Sequence, residues 1–169
     1  MKAVKLLSVF IFGILLTSSA YAKDLKIAYV ELGGVFNNYQ KTKDYDVTLQ
    51  KESQDAQKQI EQMISKIRDD QGKLALLKED EKQKLQTSID KAKLDLLDFQ
   101  KQKRTELAKK FEDMRNQIVL EIEKIVSDIA KKESYTYIFN DTAILYADKE
   151  TNITAQVLKV LNDSYPAKK

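Results

Sequence analysis

Histidine, cysteine and tryptophan are all absent from this 169-residue sequence. Without histidine the chain lacks the commonest general base and the commonest metal ligand, and without cysteine it can form neither a disulfide nor a thiolate nucleophile. It has no glycine-rich phosphate loop either. We therefore expect no catalytic residue, no metal site and no cofactor, and predict that the protein is not an enzyme. An acidic cluster at Glu79, Asp80 and Glu81 is of a kind that more often stabilises a helix start than performs chemistry.

The first 22 residues have the pattern of a cleavable export signal. Lys2 and Lys5 precede an apolar run over residues 6–16, and its 11 residues are too few to span a bilayer. Residues 20–22 (AYA) then supply the small-x-small pattern that signal peptidase reads. A membrane anchor is the alternative. We predict a signal peptide over residues 1–22 and an exported mature protein.

Basic and acidic side chains are almost equal in number once this leader is removed. The sequence has 29 basic and 26 acidic side chains, and the leader contains two of the basic ones. The mature net charge of about +1 is too small to indicate a nucleic-acid-binding protein or strong adhesion to anionic lipid. Only three glycines and one proline follow the leader, a composition typical of long, solvent-exposed helices.

Strand signals lie at the two ends of the mature chain. Residues 25–32 (LKIAYVEL) predict a first strand that Gly33 and Gly34 would end, followed by a short helical turn. Residues 135–139 (YTYIF) and 143–146 (AILY) predict two further strands on either side of turn residues. Thr154 is expected to cap a final amphipathic helix that ends before Pro166. We predict a body formed by residues 23–43 and 134–169.

Between these ends, residues 44–133 are almost all helix formers, and Thr42 or Asp44 is expected to cap the first helix. A weak apolar seam runs from Leu49 to Leu77, and a stronger one with an 11-residue period runs from Leu107 to Ile129, by way of Phe111. One straight helix would hold the strand regions about 135 Å apart. Either the helix folds back, or strands of different chains pair at each end of a rod. The fold-back is simpler, and we predict a hairpin with its tip near residues 76–80.

A sheet of three short strands is marginal and has exposed edges. The strand regions also contain more aliphatic side chains than one small sheet can bury. We therefore expect an oligomer in which the sheets of several chains join. These arguments do not fix the number of chains.

Both end segments resemble those of the periplasmic chaperones of the Skp (OmpH-like) family. The matching stretches are residues 26–32 (KIAYVEL) with Val35 and Phe36 following, residues 137–148 (YIFNDTAILYAD) and residues 153–162 (ITAQVLKVLN). The resemblance implies an α+β, mostly α fold: a long antiparallel helical hairpin, or arm, on a small β-strand body that forms a barrel in a homotrimer. It also implies an ATP-independent holdase that binds unfolded outer-membrane proteins in a cavity between the arms and hands them on for assembly.

These expectations name two sets of residues. The candidates for the barrel interface are Ile27, Tyr29, Val30, Ile138, Phe139, Ile144 and Leu145. The candidates for client contact are the apolar residues outside the main seam, Ile64, Leu76, Leu94, Leu97 and Phe99. The alternative for the second set is that these residues pack between the two helices of the hairpin.

Two functional alternatives stay open at this point. Some family members have basic arms that meet lipopolysaccharide, acidic lipid and acidic clients, whereas the arms here are near neutral, so contact with a membrane or with lipopolysaccharide is undecided. A coiled-coil spacer or assembly adaptor of the cell envelope would share the helices without being a chaperone. It would need one defined partner surface instead of many weak contacts.

Overall fold

The structure, a computed structural model, describes residues 25–166, so the predicted signal peptide lies outside the described residues. The regular elements are β1 (Ile27–Val30), α1 (Leu32–Asn38), α2 (Gln40–Lys73), α3 (Glu79–Glu133), β2 (Tyr137–Asn140) and α4 (Thr154–Ser164). Short 3-10 turns occupy Leu74–Leu76, Asp141–Ala143 and Lys149–Thr151. The predicted fold class is confirmed: the chain is mostly helical, with a long hairpin attached to a small sheet.

The hairpin consists of two helices of unequal length. At 1.5 Å per residue, the 34 residues of α2 extend about 51 Å and the 55 residues of α3 about 83 Å. Between them, Leu77 and Lys78 have extended backbones, and the turn overlaps the predicted tip. Lys78 makes no side-chain cap, but three acidic residues in the first turn of α3 favour its dipole.

The two strands pair in parallel, and the hairpin is the connection between them. Ala28 and Val30 of β1 are buried against the helices. Partners in register, such as Ile27 with Tyr137, share a face of the sheet. The face opposite the core, here called the outer sheet face, consists of Ile27, Tyr29, Tyr137 and Phe139.

The core lies where α1 and α4 pack on the half of α3 nearest the sheet. Its buried members are Ala28, Val30, Val35, Tyr39, Met114, Ile118, Ile122, Ile129, Ile153, Val157 and Leu161. Polar contacts also join α4 to the start of α2. The backbone N–H of Gln40 donates to Asn162 Oδ1 at 2.9 Å, and the Tyr165 hydroxyl donates to Asp44 Oδ2 at 3.1 Å. The base of the hairpin is therefore fixed to the body by both apolar and polar contacts.

The predicted third strand is absent from the described chain. Residues 141–143 form a 3-10 turn, and Ile144, Leu145 and Tyr146 follow without strand pairing. The free edge of β1 is taken instead by Asn152, which bridges Tyr29. A strand-like composition does not by itself form a ladder, and here the segment pairs with neither β1 nor the outer edge of β2.

The first strand and the first helix also begin and end differently from the prediction. Gly33 and Gly34 lie inside α1 and do not end β1, which stops at Val30. The next N–H, that of Glu31, leaves the ladder and donates to the Thr154 hydroxyl at 2.9 Å. A side-chain acceptor thus ends the strand, and the glycines become part of a helix.

Neither predicted helix cap is present. α2 begins at Gln40, before both Thr42 and Asp44, with Tyr39 at the cap position. Thr42 is buried, and its hydroxyl has no hydrogen-bond partner among the described residues. Thr154 is the first residue of α4, and its hydroxyl accepts the N–H of Glu31 at the end of β1 instead of capping the helix. Local sequence placed the caps a few residues too far along because tertiary contacts of the body fix where these helices start.

Candidate functional site

The arm has two parts that differ in packing. In the proximal part, which adjoins the body, Met114, Ile118 and Ile122 of α3 are buried to 3% exposure or less. In the distal part, beyond about Leu107, the buried apolar residues are Ala56, Ile67 and Ile89 alone. A cleft of about 260 Å³ opens beside the small side chain of Ala56. Phe111, which was expected on the strong seam, is instead 48% exposed.

One cluster of charges joins the two helices at the boundary between these parts. Lys110 Nζ on α3 lies 2.6 Å from Glu52 Oε2 on α2 and 3.2 Å from Glu106 Oε1 on its own helix. The hydrogen bond to Glu52, followed by that to Glu106, raises the pKa of Lys110. The hydrogen bond from Lys103, followed by that from Lys110, lowers the pKa of Glu106. Because the cluster is exposed to solvent, its contribution to stability is small.

Four of the five client-contact candidates are exposed to solvent, to different degrees. The exposed fractions are 38% for Ile64, 85% for Leu76, 64% for Leu94 and 60% for Leu97. Leu76, Leu94 and Leu97 thus mainly face solvent, whereas Ile64 is mostly covered, as packing between the two helices would have it. Phe99 differs, because it is half-buried on the seam of α3, where the Lys103 ammonium lies 5.9 Å from the ring centroid. Their role in client contact stays a prediction.

The barrel candidates fall into three environments. Ile27, Phe139 and Leu145 are exposed, Tyr29, Ile138 and Ile144 are half-buried, and Val30 is buried in the core of its own chain. Val30 is therefore corrected from an interface residue to a core residue.

Two exposed aromatic side chains near the same face were not predicted from the sequence. Tyr137, at 54% exposure, stacks on Phe139 with ring centroids 5.9 Å apart, and Tyr146 is 88% exposed. The alternation along β2 was the available signal, because Tyr137 and Phe139 are two residues apart and so share a face. No described strand pairs with the outer edge of β2. The body thus presents an apolar face and a free strand edge side by side.

Across residues 25–166, no three acidic side chains are grouped so that they could bind a metal ion. Within the same range, every helix is too short or too polar to cross a membrane.

Comparison with known proteins identifies the family. The model of the outer membrane protein (OmpH-like) family matches residues 26–161, which include both strands, the whole hairpin and most of α4. The chain belongs to the OmpH-like family. This confirms the resemblance first seen in the two end segments.

Two known proteins are similar to this chain over most of their length. Chaperone protein Skp of Yersinia enterocolitica is 24% identical over 151 residues, which are 87% of this chain and 92% of that protein. A crystal structure from Caulobacter crescentus CB15, assigned as an OmpH-like outer membrane chaperone, superposes with a TM-score of 0.78. The superposition covers 86% of this chain and 88% of the Caulobacter chain, and the two sequences are 9% identical. At this identity the similarity establishes the fold alone.

Proposed function

We propose that this protein is an ATP-independent periplasmic holdase chaperone. It would bind unfolded outer-membrane proteins in a cavity between helical arms, prevent their aggregation and hand them on for outer-membrane assembly. Family membership supports a chaperone role, and the similar protein from Yersinia enterocolitica is named a chaperone. A leader of the predicted type would deliver the chain to the periplasm.

The observation that carries the proposal is the exposure of aliphatic side chains along a weakly packed arm. Leu94 and Leu97 lie on the distal part of α3, and Leu76 lies at the turn. Strands of outer-membrane barrels alternate apolar and polar residues, and they aggregate when unpaired in water. Scattered apolar side chains among charges of both signs would make many weak contacts with such chains. Enclosure would then raise the effective concentration of those contacts, so that no single one need be strong.

A cavity requires more than one arm, and the outer sheet face supports assembly of several chains. This face exposes Tyr137 and Phe139 beside the free edge of β2. An uncovered edge with apolar neighbours is a surface onto which another strand can pair. The segment around Leu145, which finds no pairing within its own chain, is available to a second copy. We propose a homotrimer whose joined sheets form a barrel.

Light scattering tests the holdase proposal. An outer-membrane barrel is diluted from denaturant with and without stoichiometric amounts of the protein, and the soluble fraction and the mass of the complex are measured together. We expect suppression of scattering and a discrete complex. A coiled-coil spacer or adaptor would leave scattering unchanged, and that result would refute the proposal.

Paired variants test the contribution of the arm. Leu94→Ser with Leu97→Ser removes two exposed leucines from the distal arm. Val47→Ser with Leu120→Ser removes two equally exposed apolar side chains, 67% and 64%, from the proximal part. We expect weaker suppression of aggregation from the first pair only, with unchanged circular dichroism in both. Equal effects would show that position on the arm is unimportant.

The interface is tested by Phe139→Asp, which places a charge on the outer sheet face. We expect sedimentation to show monomers and client protection to be lost, because a single arm encloses nothing. Val47→Asp, which adds the same charge at an exposed position on α2, should stay oligomeric. A Phe139→Asp protein that sediments as a trimer would refute the assignment of this face.

A further inference from the structure

One exposed face of α3 carries an ordered row of side chains, of which the proposed function has used Leu94 and Leu97 alone. Seven positions follow one another at alternating spacings of three and four residues, so they lie on one face of the helix. We call this row the basic-apolar stripe. Its members are Leu94, Leu97, Lys101, Arg104, Ala108, Phe111 and Arg115.

The stripe is distinct from the seam that joins the two helices. All seven members are exposed, whereas the seam of α3 passes through Ile89, Phe99 and Leu107. Four large apolar side chains of α3 are strongly exposed, and three of them, Leu94, Leu97 and Phe111, lie on the stripe. The exposed apolar surface of α3 is therefore concentrated on one line of that helix.

Charge is segregated on the same line. Not one of the seven positions is acidic, although the arm as a whole carries both signs in near balance. Lys101 and Arg104 make no ion pair with any residue of the described chain. Arg115 has only a long contact of 3.9 Å with Glu112. By contrast, Lys110, off the stripe, is held by two carboxylates.

We propose that the basic-apolar stripe binds segments of unfolded clients in which carboxylates are interleaved with aliphatic or aromatic residues. This inference rests on the proposed chaperone function and adds a preference among client segments. The guanidinium groups of Arg104 and Arg115 match a carboxylate in a bidentate geometry. The neighbouring leucines and Phe111 would contact the apolar side chains of the same segment. Complementary charge of this kind selects among partners more than it tightens binding.

The dimensions of the stripe set the length of the segment. From Leu94 to Arg115 the stripe extends about 30 Å along the helix. An extended polypeptide rises about 3.3 Å per residue, so about nine residues would cover it. The stripe thus matches the length of one barrel strand. Each contact is made at an exposed site and is individually weak, which keeps the client releasable.

Three peptides of this length test the proposal by fluorescence anisotropy at physiological ionic strength. The first alternates glutamate with leucine or phenylalanine, the second replaces glutamate by lysine, and the third replaces the apolar residues by serine. We expect the first peptide to bind about tenfold more tightly than either of the others, because only it matches both charge and apolar contacts. If the third peptide bound as tightly as the first, apolar contacts would contribute nothing and the stripe would bind any anionic peptide. That result would overturn the proposal.

Variants then locate the binding surface. Lys101→Glu, Arg104→Glu and Arg115→Glu together reverse the stripe. Lys84→Glu, Lys91→Glu and Lys109→Glu, at exposed positions on other faces of the same helix, make the same change in net charge. We expect the first triple to weaken binding of the acidic apolar peptide about tenfold and the control to change it less than about threefold. Equal losses would overturn the proposal, since net charge alone would then explain them.

Two further measurements keep the result interpretable. If the stripe triple loses helicity, the same positions changed to glutamine remove the charges without reversing them, and the same direction of change is expected. Stripe-dependent binding to vesicles containing anionic lipid, without binding to the acidic apolar peptide, would assign the stripe to a membrane surface instead. Failure of the unaltered protein to protect any unfolded barrel would refute the chaperone proposal. Protection that is retained, with no preference among the peptides, would refute the stripe alone.

Discussion

The proximal and distal parts of the arm are built from the same two helices, yet they are packed to different degrees. Near the body, Ile118 and Ile122 of α3 are buried to 1% exposure or less, with α1 and α4 packed on them. Farther out, each helix has one neighbour only, and Ala56, Ile67 and Ile89 are its buried apolar residues. The difference arises from how many elements surround α3 along its length, since helix-forming residues are abundant in both parts.

This contrast indicates a division of roles. The free energy of local opening is low where few apolar contacts are buried, so the distal arm should open or bend without unfolding the body. A rigid body would keep the sheet in a fixed geometry for assembly. A compliant arm would then adapt to clients of different size.

The largest expected effect is that of Ile118→Ala. Its side chain is fully buried between the body helices, and truncation of such a residue costs about 2–5 kcal/mol. The matched change, Ile89→Ala, truncates a distal residue that is 1% exposed. We expect urea unfolding to report the loss for Ile118→Ala, and hydrogen exchange to report a loss confined to the distal arm for Ile89→Ala. Similar urea midpoints for the two variants would show that the hairpin and body unfold as one unit.

The second effect is on the alkaline stability of the proximal part. Tyr39 is 3% exposed, and its hydroxyl donates to Glu121 Oε2 at 3.2 Å. Burial, followed by the charge of Glu121 and this hydrogen bond, raises the pKa of Tyr39 from 10.0 to about 12. Since the folded state holds the proton more tightly than the unfolded chain, this contribution is complete below pH 10 and is lost as the pH rises towards 12.

Tyr39→Phe tests this dependence. At pH 7 we expect a loss of about 1 kcal/mol for the hydrogen bond, and between pH 9 and 11 a smaller decline in the free energy of unfolding than in the unaltered protein. Part of the decline should persist, because burial and the hydrogen bond to Asp44 raise the pKa of Tyr165 as well. Tyr135→Phe, whose hydroxyl has no hydrogen bond to a described residue, is the control. A decline identical to that of the unaltered protein would contradict the assignment.

The long-range periodicity of the sequence predicted more of this fold than its local signals did. The helical hairpin, its turn near residues 76–80 and the strong seam through Ile118 and Ile129 followed from apolar spacing and from the need for the chain ends to meet, whereas the resemblance supplied the full fold class. Helix caps and the end of β1 did not follow. They depend on partners far away in sequence, such as the Thr154 hydroxyl that accepts the N–H of Glu31.

The candidate sites show the same limit. Exposure of Leu94 and Leu97 agreed with their place outside the seam, whereas Val30 was expected at an interface and lies in the core. A strand of alternating composition does not reveal which face its own chain covers. Residues 143–146 have the composition of a strand, but they follow the 3-10 turn at Asp141–Ala143 and pair with neither edge of the described sheet.

A third prediction concerns the residue that ends α3 beside the sheet. Ser134 ends α3 in the left-handed region, with φ 60°, which disfavours residues that have a Cβ. Ser134→Gly should therefore raise the free energy of global unfolding by about 0.5–1 kcal/mol, as measured with urea. Ser127→Gly, at an exposed position inside the same helix, should lower it. A Ser134→Gly protein that is less stable would show that the side chain, and not the backbone, determines this site.

The smallest effect and the sharpest comparison come from two glycines. Gly72 lies in the last turn of α2 beside the tip, Gly33 lies inside α1 in the body, and a Cβ at either position would meet no atom within 4 Å. Alanine at each should favour its helix by about 0.4–1 kcal/mol, because it restricts the unfolded chain. We expect Gly33→Ala to raise the global free energy of unfolding measured with urea. Gly72→Ala should leave that value almost unchanged and slow hydrogen exchange only near the tip. Equal global gains from the two variants would mean that the distal arm opens only when the body does, and the arm could then not adapt to clients independently.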